Sequence, residues 1–578
     1  MPTIEAKRVD LEEMIGEKLS ASRLAALLTL VKGEIKEWTE DILKLELNDT
    51  NRPDLWSPEG IARQIRIHRD GGRALPSYPF LEQKAEAQPL REVHVSKDVM
   101  AVRPYLAGFL IRGMTITASV LARLIQSQEK LADVFGQKRK SVSIGLYRLN
   151  KITFPVRYQL ADPDETRLTP LGFDCPMSLR EILQNHPKGI MYGEILKDHD
   201  RLPILIDAKN QILSFPPIIN SREIGEICIG DTDLFVEVTG CNQRMVMLAA
   251  NIFACNLSSA TAMVTPLTIV YPEKTDFGIS VKTPHDFSSP VSVALGSFEK
   301  ALGEPISLEE ARSVLTAYGY KITGQGGKLS AQLPPYRDDV MHPIDIIEDF
   351  VISRGLESFA HTMPKTATLG ASSPLSRFTE QLAQAMVGFG FEEVMSNVLL
   401  SYEEQMDRMG IVLPGHSAAM PLSAPLGGRP EQRVIHLSNP MTQRHATPRS
   451  WLLPSLLRVE AASSKSYYPH RLFETGEVAR MTAKMDGCET AHHLGVLIAH
   501  ADARFSELHA VLSALLHSLS IPYEMVSISH PTFIEGRTGL IRYRGDEVGF
   551  IGEIHPAVLA HWEIGMPAVA FELDIAML

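Results

Sequence analysis

Apolar positions recur at two periods along this chain, helical and strand-like, over four successive parts. Up to about residue 85, short strand-like and helical pieces lead into ELNDTNRPDLWSPEGIARQIR. There Asn51, Pro53 and Asp54 carry turn chemistry, and Ser57 followed by Pro58 reads as an N-cap and a first helical position. A helix is predicted from Pro58 to about His68. From about 90 to 270, β-rich runs (HVSKDV, LAGFLIRGM, SVSIGLY, ITFPVRYQL) mix with helices predicted near Ile116–Phe135 and Ser178–Asn185, an α+β pattern. Three clusters in this stretch, HPKGIMYG, ILSFPPIINS and LFVEVTGCN, read as loops. From 274 to 355, SLEEARSVLTAYGY has Ser307 and Glu310 at capping-box spacing and Gly319 as a stop, followed by a strand pair (KITGQG, KLSAQL) and an acidic helix. From 360 to 578, Leu375, Phe378, Leu382, Met386 and Phe389 recur at helical spacing. Strand-like pieces follow (FEEVMSNVLL, HRLFETGEVAR, HLGVLIAH, RTGLIRYRGDEVGFIGEI, AVAFEL), which predict an antiparallel sheet flanked by helices.

One stretch imitates a membrane span: no charged residue lies between Arg244 and Glu273. Its asparagines, serines and Pro266 argue instead for a buried helix, about Met245 to Leu257, followed by a buried strand, LTIVY. Composition changes the picture little. At 578 residues the chain exceeds one core, and composition shifts at Ser77–Leu90, Tyr271–Ser280 and His361–Ser376 mark the boundaries. A formal charge of -12 argues against a generally basic nucleic-acid coat. The sharpest basic run, Lys138, Arg139 and Lys140, reads first as a solvated loop. Five cysteines without C-x-x-C spacing suit a reducing compartment and make zinc improbable. The charged N-terminal stretch has no apolar core of a signal peptide, so a cytoplasmic protein is expected.

The densest chemistry lies in PPYRDDVMHPIDIIEDFVISRG, from Pro334 to Gly355. Pro343 suits the first helical position and Gly355 the stop. Asp345, Glu348 and Asp349 then stand at i, i+3 and i+4 on one side, where like charges repel. A hard cation with oxygen ligands, Mg²⁺ in particular, would relieve that repulsion, with Asp339 closing the site. Acids in a first helical turn are also favoured by the macrodipole without any metal. On the residues alone both readings stand.

The order of motifs is more informative than any one of them. NRPDLWSPEGIAR, HPKGIMYG, ILSFPPIINS, LFVEVTG, the acidic helix, LSNPM, RLFETGEV and IGEIHP together resemble the β subunit of phenylalanine–tRNA ligase in its archaeal and eukaryotic form, across nearly the whole chain. The resemblance implies an α+β multidomain chain. Its parts would be an N-terminal α/β module (1–85), an α+β tRNA-editing domain (90–270), a small helical metal-binding module with a DNA-binding-like fold (274–355), and a degenerate class II synthetase domain of antiparallel sheet with helices (360–578). It implies an α2β2 heterotetramer, in which the α subunit activates phenylalanine with ATP and transfers it to its tRNA. By the same resemblance the Mg²⁺ ligands fall on Asp339, Asp345, Glu348 and Asp349, the last being Asp where some relatives carry Glu. The editing pocket, which would hydrolyse mischarged tyrosyl-tRNA, falls on Leu205, Ser214, Glu237 and Thr239, with Glu237 where other archaeal members commonly carry Asp. Glu237 would accept the phenol proton, Leu205 pack on the ring, and Ser214 and Thr239 bind polar groups or water. His186 is a candidate base or a turn residue; Cys241 reads as a packed small residue rather than a nucleophile.

RLFETGEV looks like the class II strand that holds ATP, yet the glycine- and arginine-bearing terminal signature of that class is missing from GMPAVAFELDIAML. The expectation is therefore a pseudo-catalytic partner domain, with LSNPM…SWLLPSLL facing the α subunit. Two other functions remain open from the sequence: a free-standing aminoacyl-tRNA deacylase, and a non-catalytic scaffold.

Overall fold

The computed structural model describes residues 2–48, 51–82, 91–258, 262–287, 289–411, 434–482 and 487–578. The boundary expected at Ser77–Leu90 lies partly outside them. The chain divides into two compact units, Met1–Met363 and Pro364–Leu578. The architecture is mixed α and β throughout.

The first unit opens with a three-stranded antiparallel sheet in the order Thr3–Lys7, Ile42–Leu47, Gly33–Trp38. Ile4, Leu43 and Leu45 of that sheet share a core with the helices Arg8–Ile15, Ala21–Leu28 and Pro58–Arg69. The last helix begins as its sequence dictates: Ser57 Oγ accepts the Gly60 amide at 3.1 Å, and Pro58 occupies the first position.

The centre of the unit is a ten-stranded mixed sheet. Its path runs Ile219–Asn220, Ile212–Phe215, Leu202–Ile206, Val156–Ala161, Glu92–Val95, Met263–Thr275, Tyr105–Arg112, Leu234–Gly240, Val142–Arg148, with Gly278–Thr283 paired to Met263–Thr275 off that path. Glu92–Val95 is parallel to both of its neighbours, and the other pairings are antiparallel. Helix Gln243–Leu257, capped by Asn242, is buried along nearly its full length against Tyr105–Arg112 and Leu234–Gly240. The uncharged stretch after Arg244 is thus an interior helix and strand. No helix among the described residues is long and apolar enough to cross a membrane.

The three clusters read as loops are ordered structure. LFVEVTG is the strand Leu234–Gly240, with all seven residues buried. A strand covered on both faces loses the alternation that marks a half-buried one. ILSFPPIINS forms the strands Ile212–Phe215 and Ile219–Asn220. HPKGIMYG is the helix Pro187–Tyr192, and His186 caps it, Nδ1 accepting the Lys188 amide at 3.1 Å.

The remainder of the unit pairs a three-stranded sheet (Val291–Ala294, Lys328–Gln332, Lys321–Gln325) with the helices Leu295–Leu302, Leu308–Ala317 and Pro343–Arg354 around Phe298, Leu315, Tyr320 and Phe350. It holds a sheet as well as helices. Ser307 caps the middle helix as predicted, accepting the Glu310 amide. The N-terminal part of the unit and this one are tied together: Gln64 Nε2, in helix Pro58–Arg69, donates to Tyr318 O at 3.2 Å, and Tyr318 Oη donates to Leu30 O at 2.9 Å.

The second unit is a seven-stranded sheet in the order Glu392–Glu393, His470–Met481, Cys488–Ala499, Ala568–Asp574, Asp546–Ile554, Phe533–Tyr543, Glu524–Ser527. Only the first pairing is parallel. Helices Pro374–Gly388 and Phe505–Ser518 contribute Leu382, Met386, Leu508, Leu512 and Leu515 to one core, while helix Leu453–Ala462 contributes to a second. RLFETGEV lies within the strand His470–Met481. Its Glu474 is buried and receives Arg449 Nη1 at 2.6 Å and the Ser396 hydroxyl at 2.6 Å.

Candidate functional site

Strand Leu234–Gly240 pairs in register with Val142–Arg148: Phe235 faces Tyr147, Glu237 faces Gly145, and Thr239 faces Ser143. Alternate residues of a strand share a face, so Ser143, Gly145 and Tyr147 stand beside Thr239, Glu237 and Phe235. A cavity of about 400 Å³ opens on that face, lined by Ser143, Gly145, Tyr147, Ser214 and Glu237, with Arg139 and Lys188 also on its wall.

Two hydrogen-bonded groups occupy this region. In the first, the Tyr147 hydroxyl joins Glu237 Oε2 at 2.7 Å to Ser214 Oγ at 2.8 Å. The ring stacks on Phe235 with centroids 5.5 Å apart. Glu237 is 2% exposed, and its Oε1 has no hydrogen-bond partner among the described residues. Burial raises its carboxyl to about 7, against the opposing pull of the Tyr147 hydroxyl, of Thr239 and of the positive charge of Arg103. Burial, together with the neighbouring Glu237 charge, keeps the Tyr147 phenol well above its ordinary value, so it stays protonated at neutral pH.

In the second group, the buried Arg103 donates to Thr239 O at 2.7 Å, Thr239 Oγ1 at 3.2 Å, Ser143 Oγ at 3.0 Å and Lys140 O at 3.1 Å. Ser143 Oγ and Thr239 Oγ1 lie 3.0 Å apart. Thr239 is therefore held in a closed network, and Arg103 supplies positive potential beside Glu237.

Of the four pocket residues expected, Ser214 and Glu237 line the cavity and are bridged through Tyr147. Thr239 lies on the same face as Glu237 but is engaged with Arg103. Leu205 pairs with Ser214 across the strands, yet its side chain is fully buried in the core and is not on the cavity wall. The sequence reading missed Arg103, Ser143 and Tyr147. The signal was present: SVSIGLY alternates Ser143, Gly145 and Tyr147, which only gains meaning once paired with LFVEVTG. His186 is engaged as a helix cap, and its Nε2 lies 3.2 Å from Leu171 O. Cys241 is exposed rather than packed.

The basic run is an ordered turn. Gln137, Lys138 and Arg139 take left-handed backbone conformations. Arg139 donates to Pro217 O at 3.0 Å and Ile218 O at 2.9 Å and lies 4.3 Å over the Tyr192 ring. It braces the cavity wall.

The four carboxylates expected to bind Mg²⁺ do not converge. Asp345 caps its own helix, Oδ2 accepting the Met341 and His342 amides at 2.8 Å each. Glu348 pairs with Lys32 at 2.7 Å on the surface. Arg337, itself buried, takes the other two: its Nε donates to Asp339 at 2.9 Å, and its Nη1 lies 2.7 Å from Asp349, which also receives the Tyr320 hydroxyl. Burial opposes ionisation of Asp339, but Arg337 holds its carboxyl below the ordinary value all the same. No three His, Cys, Asp or Glu side chains among the described residues are grouped to hold a metal. As arranged, these donors do not fit a magnesium ion; a guanidinium already neutralises the two buried ones.

Comparison with known proteins sets these features in a class. The family model described as tRNA synthetase B5 domain matches residues 291–356, and the one described as phenylalanyl tRNA synthetase beta chain CLM domain matches 360–575. The chain is of the aminoacyl-tRNA synthetase class, in the form of a subunit. It is 35% identical over 580 residues to a phenylalanine–tRNA ligase beta subunit of Borrelia hermsii, covering 100% of this chain and 99% of that one. It is 33% identical over 578 residues to that of Thermococcus onnurineus, covering 99% and 98%. A crystal structure of an N-terminal fragment of the phenylalanyl-tRNA synthetase beta-subunit from Pyrococcus horikoshii superposes with a TM-score of 0.57 at 33% identity, over 61% of this chain and 99% of that one. The chain belongs to the phenylalanine–tRNA ligase β-subunit family.

Proposed function

We propose that this chain, as the β subunit of a phenylalanine–tRNA ligase, assembles with an α subunit into an α2β2 enzyme and hydrolyses tyrosine misattached to the phenylalanine tRNA. The α subunit carries ATP-dependent phenylalanylation. Its apolar pocket for phenylalanine rejects an added hydroxyl by only about 100-fold, whereas a site that hydrogen-bonds the hydroxyl rejects the analogue lacking it by roughly 10⁴–10⁵. A second, polar pocket in the β chain supplies that discrimination.

The observation that carries this reading is buried Glu237 on the wall of the cavity, with one carboxylate oxygen, Oε1, left without a partner among the described residues. A buried carboxylate oxygen without a donor is costly, and a phenol hydroxyl satisfies it where a phenyl ring does not. Hydrolysis needs a water on the ester and no covalent nucleophile from the chain. In the second unit, Glu474 and Arg449 satisfy each other, which suits a partner-binding domain rather than one that handles triphosphate.

The test is to express the chain with and without an α subunit and to assay phenylalanylation and tyrosyl-tRNA hydrolysis. Phenylalanylation only with α, and loss of hydrolysis in Glu237→Ala, are the expected results. Hydrolysis that is complete without α would favour a free-standing deacylase. Hydrolysis undiminished in Glu237→Ala would defeat the pocket assignment.

A further inference from the structure

Tyr147 presents to Glu237 the same group that a tyrosyl substrate would bring. Its hydroxyl engages Oε2 at 2.7 Å and Ser214 Oγ at 2.8 Å, and leaves Oε1 unmatched. The ring cannot drift, because it stacks on Phe235, which packs in turn on Phe154. Gly145 makes the arrangement possible: a Cβ there would collide with both Tyr147 Oη and Glu237 Oε2. Held at Oε2, the carboxylate keeps its other oxygen, Oε1, without a partner among the described residues.

We propose that Tyr147 is a positioning residue that sets the specificity of this pocket, holding Glu237 by one oxygen so that the other receives the hydroxyl of a phenolic ligand. The inference rests on the editing reading above and adds to it the residue that orients the acceptor. One carboxylate then serves two phenols, one built into the chain and one delivered on the tRNA. The selectivity lies in the second, because without Tyr147 the carboxylate loses the donor that holds Oε2 and can turn to the Ser214 hydroxyl instead.

The groups that face Glu237 are few: Tyr147 and Gly145 from one neighbouring strand, Gly108 from the other, Thr239 from its own, and Arg103 with its charge. Tyr158 also feels the Glu237 charge, and burial keeps its phenol neutral. Tyr147 therefore supplies the hydroxyl donor on Oε2, and removing it shifts the ionisation of Glu237 upward.

The experiment compares hydrolysis of tyrosyl- and phenylalanyl-tRNA by the full chain in its complex, across pH 5 to 9, for the parent protein, Tyr147→Phe and Glu237→Ala. Tyr147→Phe is expected to lose roughly 10- to 100-fold in tyrosyl-tRNA hydrolysis, the scale of a small misplacement. Its preference over phenylalanyl-tRNA should fall in step, and its acid-side midpoint should move to higher pH. A defect of folding alone would lower activity without moving that midpoint. Should Tyr147→Phe prove too unstable to assay, 3,5-difluorotyrosine at position 147 keeps the shape and donates more strongly, and moves the midpoint down. If Glu237→Ala abolishes hydrolysis while Tyr147→Phe keeps the parent's selectivity and midpoint, the editing reading stands and the role of Tyr147 falls. If Glu237→Ala retains full hydrolysis, both fall.

Discussion

Glu237→Gln should make the central sheet more stable at neutral pH than it is in the parent chain. Glutamine resembles the protonated acid and cannot ionise. In the parent, burial moves the carboxyl from its ordinary 4.5 to about 7. Below pH 4.5 the group is protonated whether the chain is folded or unfolded, so it costs nothing. Between 4.5 and 7 the unfolded chain releases its proton while the folded chain keeps it, and stability falls as pH rises. Above 7 the loss is complete. At about 1.4 kcal/mol per pH unit, the displacement is worth about 3 kcal/mol. The side chain is 2% exposed, so solvent does not screen the effect away. The local assay is hydrogen exchange of peptides spanning 234–240 at increasing urea, in parent and variant, at pH 4.5, 6 and 8. Comparing the two proteins at each pH cancels every other titrating group and any fixed difference between glutamine and glutamate. The advantage of the variant should widen by about 3 kcal/mol from pH 4.5 to 8. A constant offset across that range would mean that Glu237 is not desolvated in the folded chain, and the cavity chemistry built on it would go too.

Three further outcomes follow from other parts of the structure. Gly145→Ala places a methyl against Tyr147 Oη and Glu237 Oε2; it should cost about 1–3 kcal/mol in urea unfolding of the first unit, the usual scale of overpacking, and reduce tyrosyl-tRNA hydrolysis. Arg337→Met removes the cation that Asp339 and Asp349 share, leaving, among the described residues, only Arg52 at 4.0 Å for Asp339 and only the Tyr320 hydroxyl for Asp349, and should cost roughly 3–5 kcal/mol, read by the same unfolding experiment. Because Arg337 rather than a metal neutralises that pair, excess chelator should leave the melting temperature of the intact chain unchanged; a drop restored by Mg²⁺ would overturn the assignment.

The elements most legible in the sequence were those whose ends carry their own chemistry. Ser57 with Pro58 and Ser307 with Glu310 each announce a helix through a serine hydroxyl that accepts a free amide, and Pro343 with Gly355 marks the first position and the stop of a third. The helix after Arg244 was legible for another reason, since an uncharged run with helical length has to be covered. What failed were segments whose conformation is decided by distant partners. LFVEVTG looks loop-like because it ends in small and polar residues. It is a central strand because Tyr105–Arg112 and Val142–Arg148 pair with it on both sides. HPKGIMYG contains proline and two glycines, yet His186 and Pro187 start a helix that the rest can follow. In the site, a lone carboxylate in an apolar run drew attention to Glu237. Tyr147 and Arg103 were invisible because their meaning is relational: each matters through a residue about 90 or more positions away.

The acidic helix shows the same principle with the opposite outcome. Its i, i+3, i+4 carboxylates share one side of a helix, and one side of a helix is still wide enough for each to find a different partner. Asp345 turns back to the amides before the helix, where the macrodipole also favours it. Glu348 reaches outward to Lys32. Asp349 turns inward to Arg337 and Tyr320. Spacing alone therefore predicted repulsion without predicting how the fold would resolve it. For the buried member of the set a single guanidinium, two residues before Asp339, takes Asp349 together with Asp339 through a planar fork suited to carboxylates. The same logic runs through the cavity, where Arg103 is held by carbonyls and hydroxyls rather than by an acid. Had a carboxylate neutralised Arg103, Glu237 would have lost the nearby positive charge that offsets its burial. The carboxyl would then be pushed further up and keep its proton over more of the neutral range, a weaker acceptor for a phenol hydroxyl than the carboxylate. Arg103 without an acidic partner and Glu237 with one free oxygen, both among the described residues, are thus two halves of one arrangement, and replacing either should move the pH at which the pocket works.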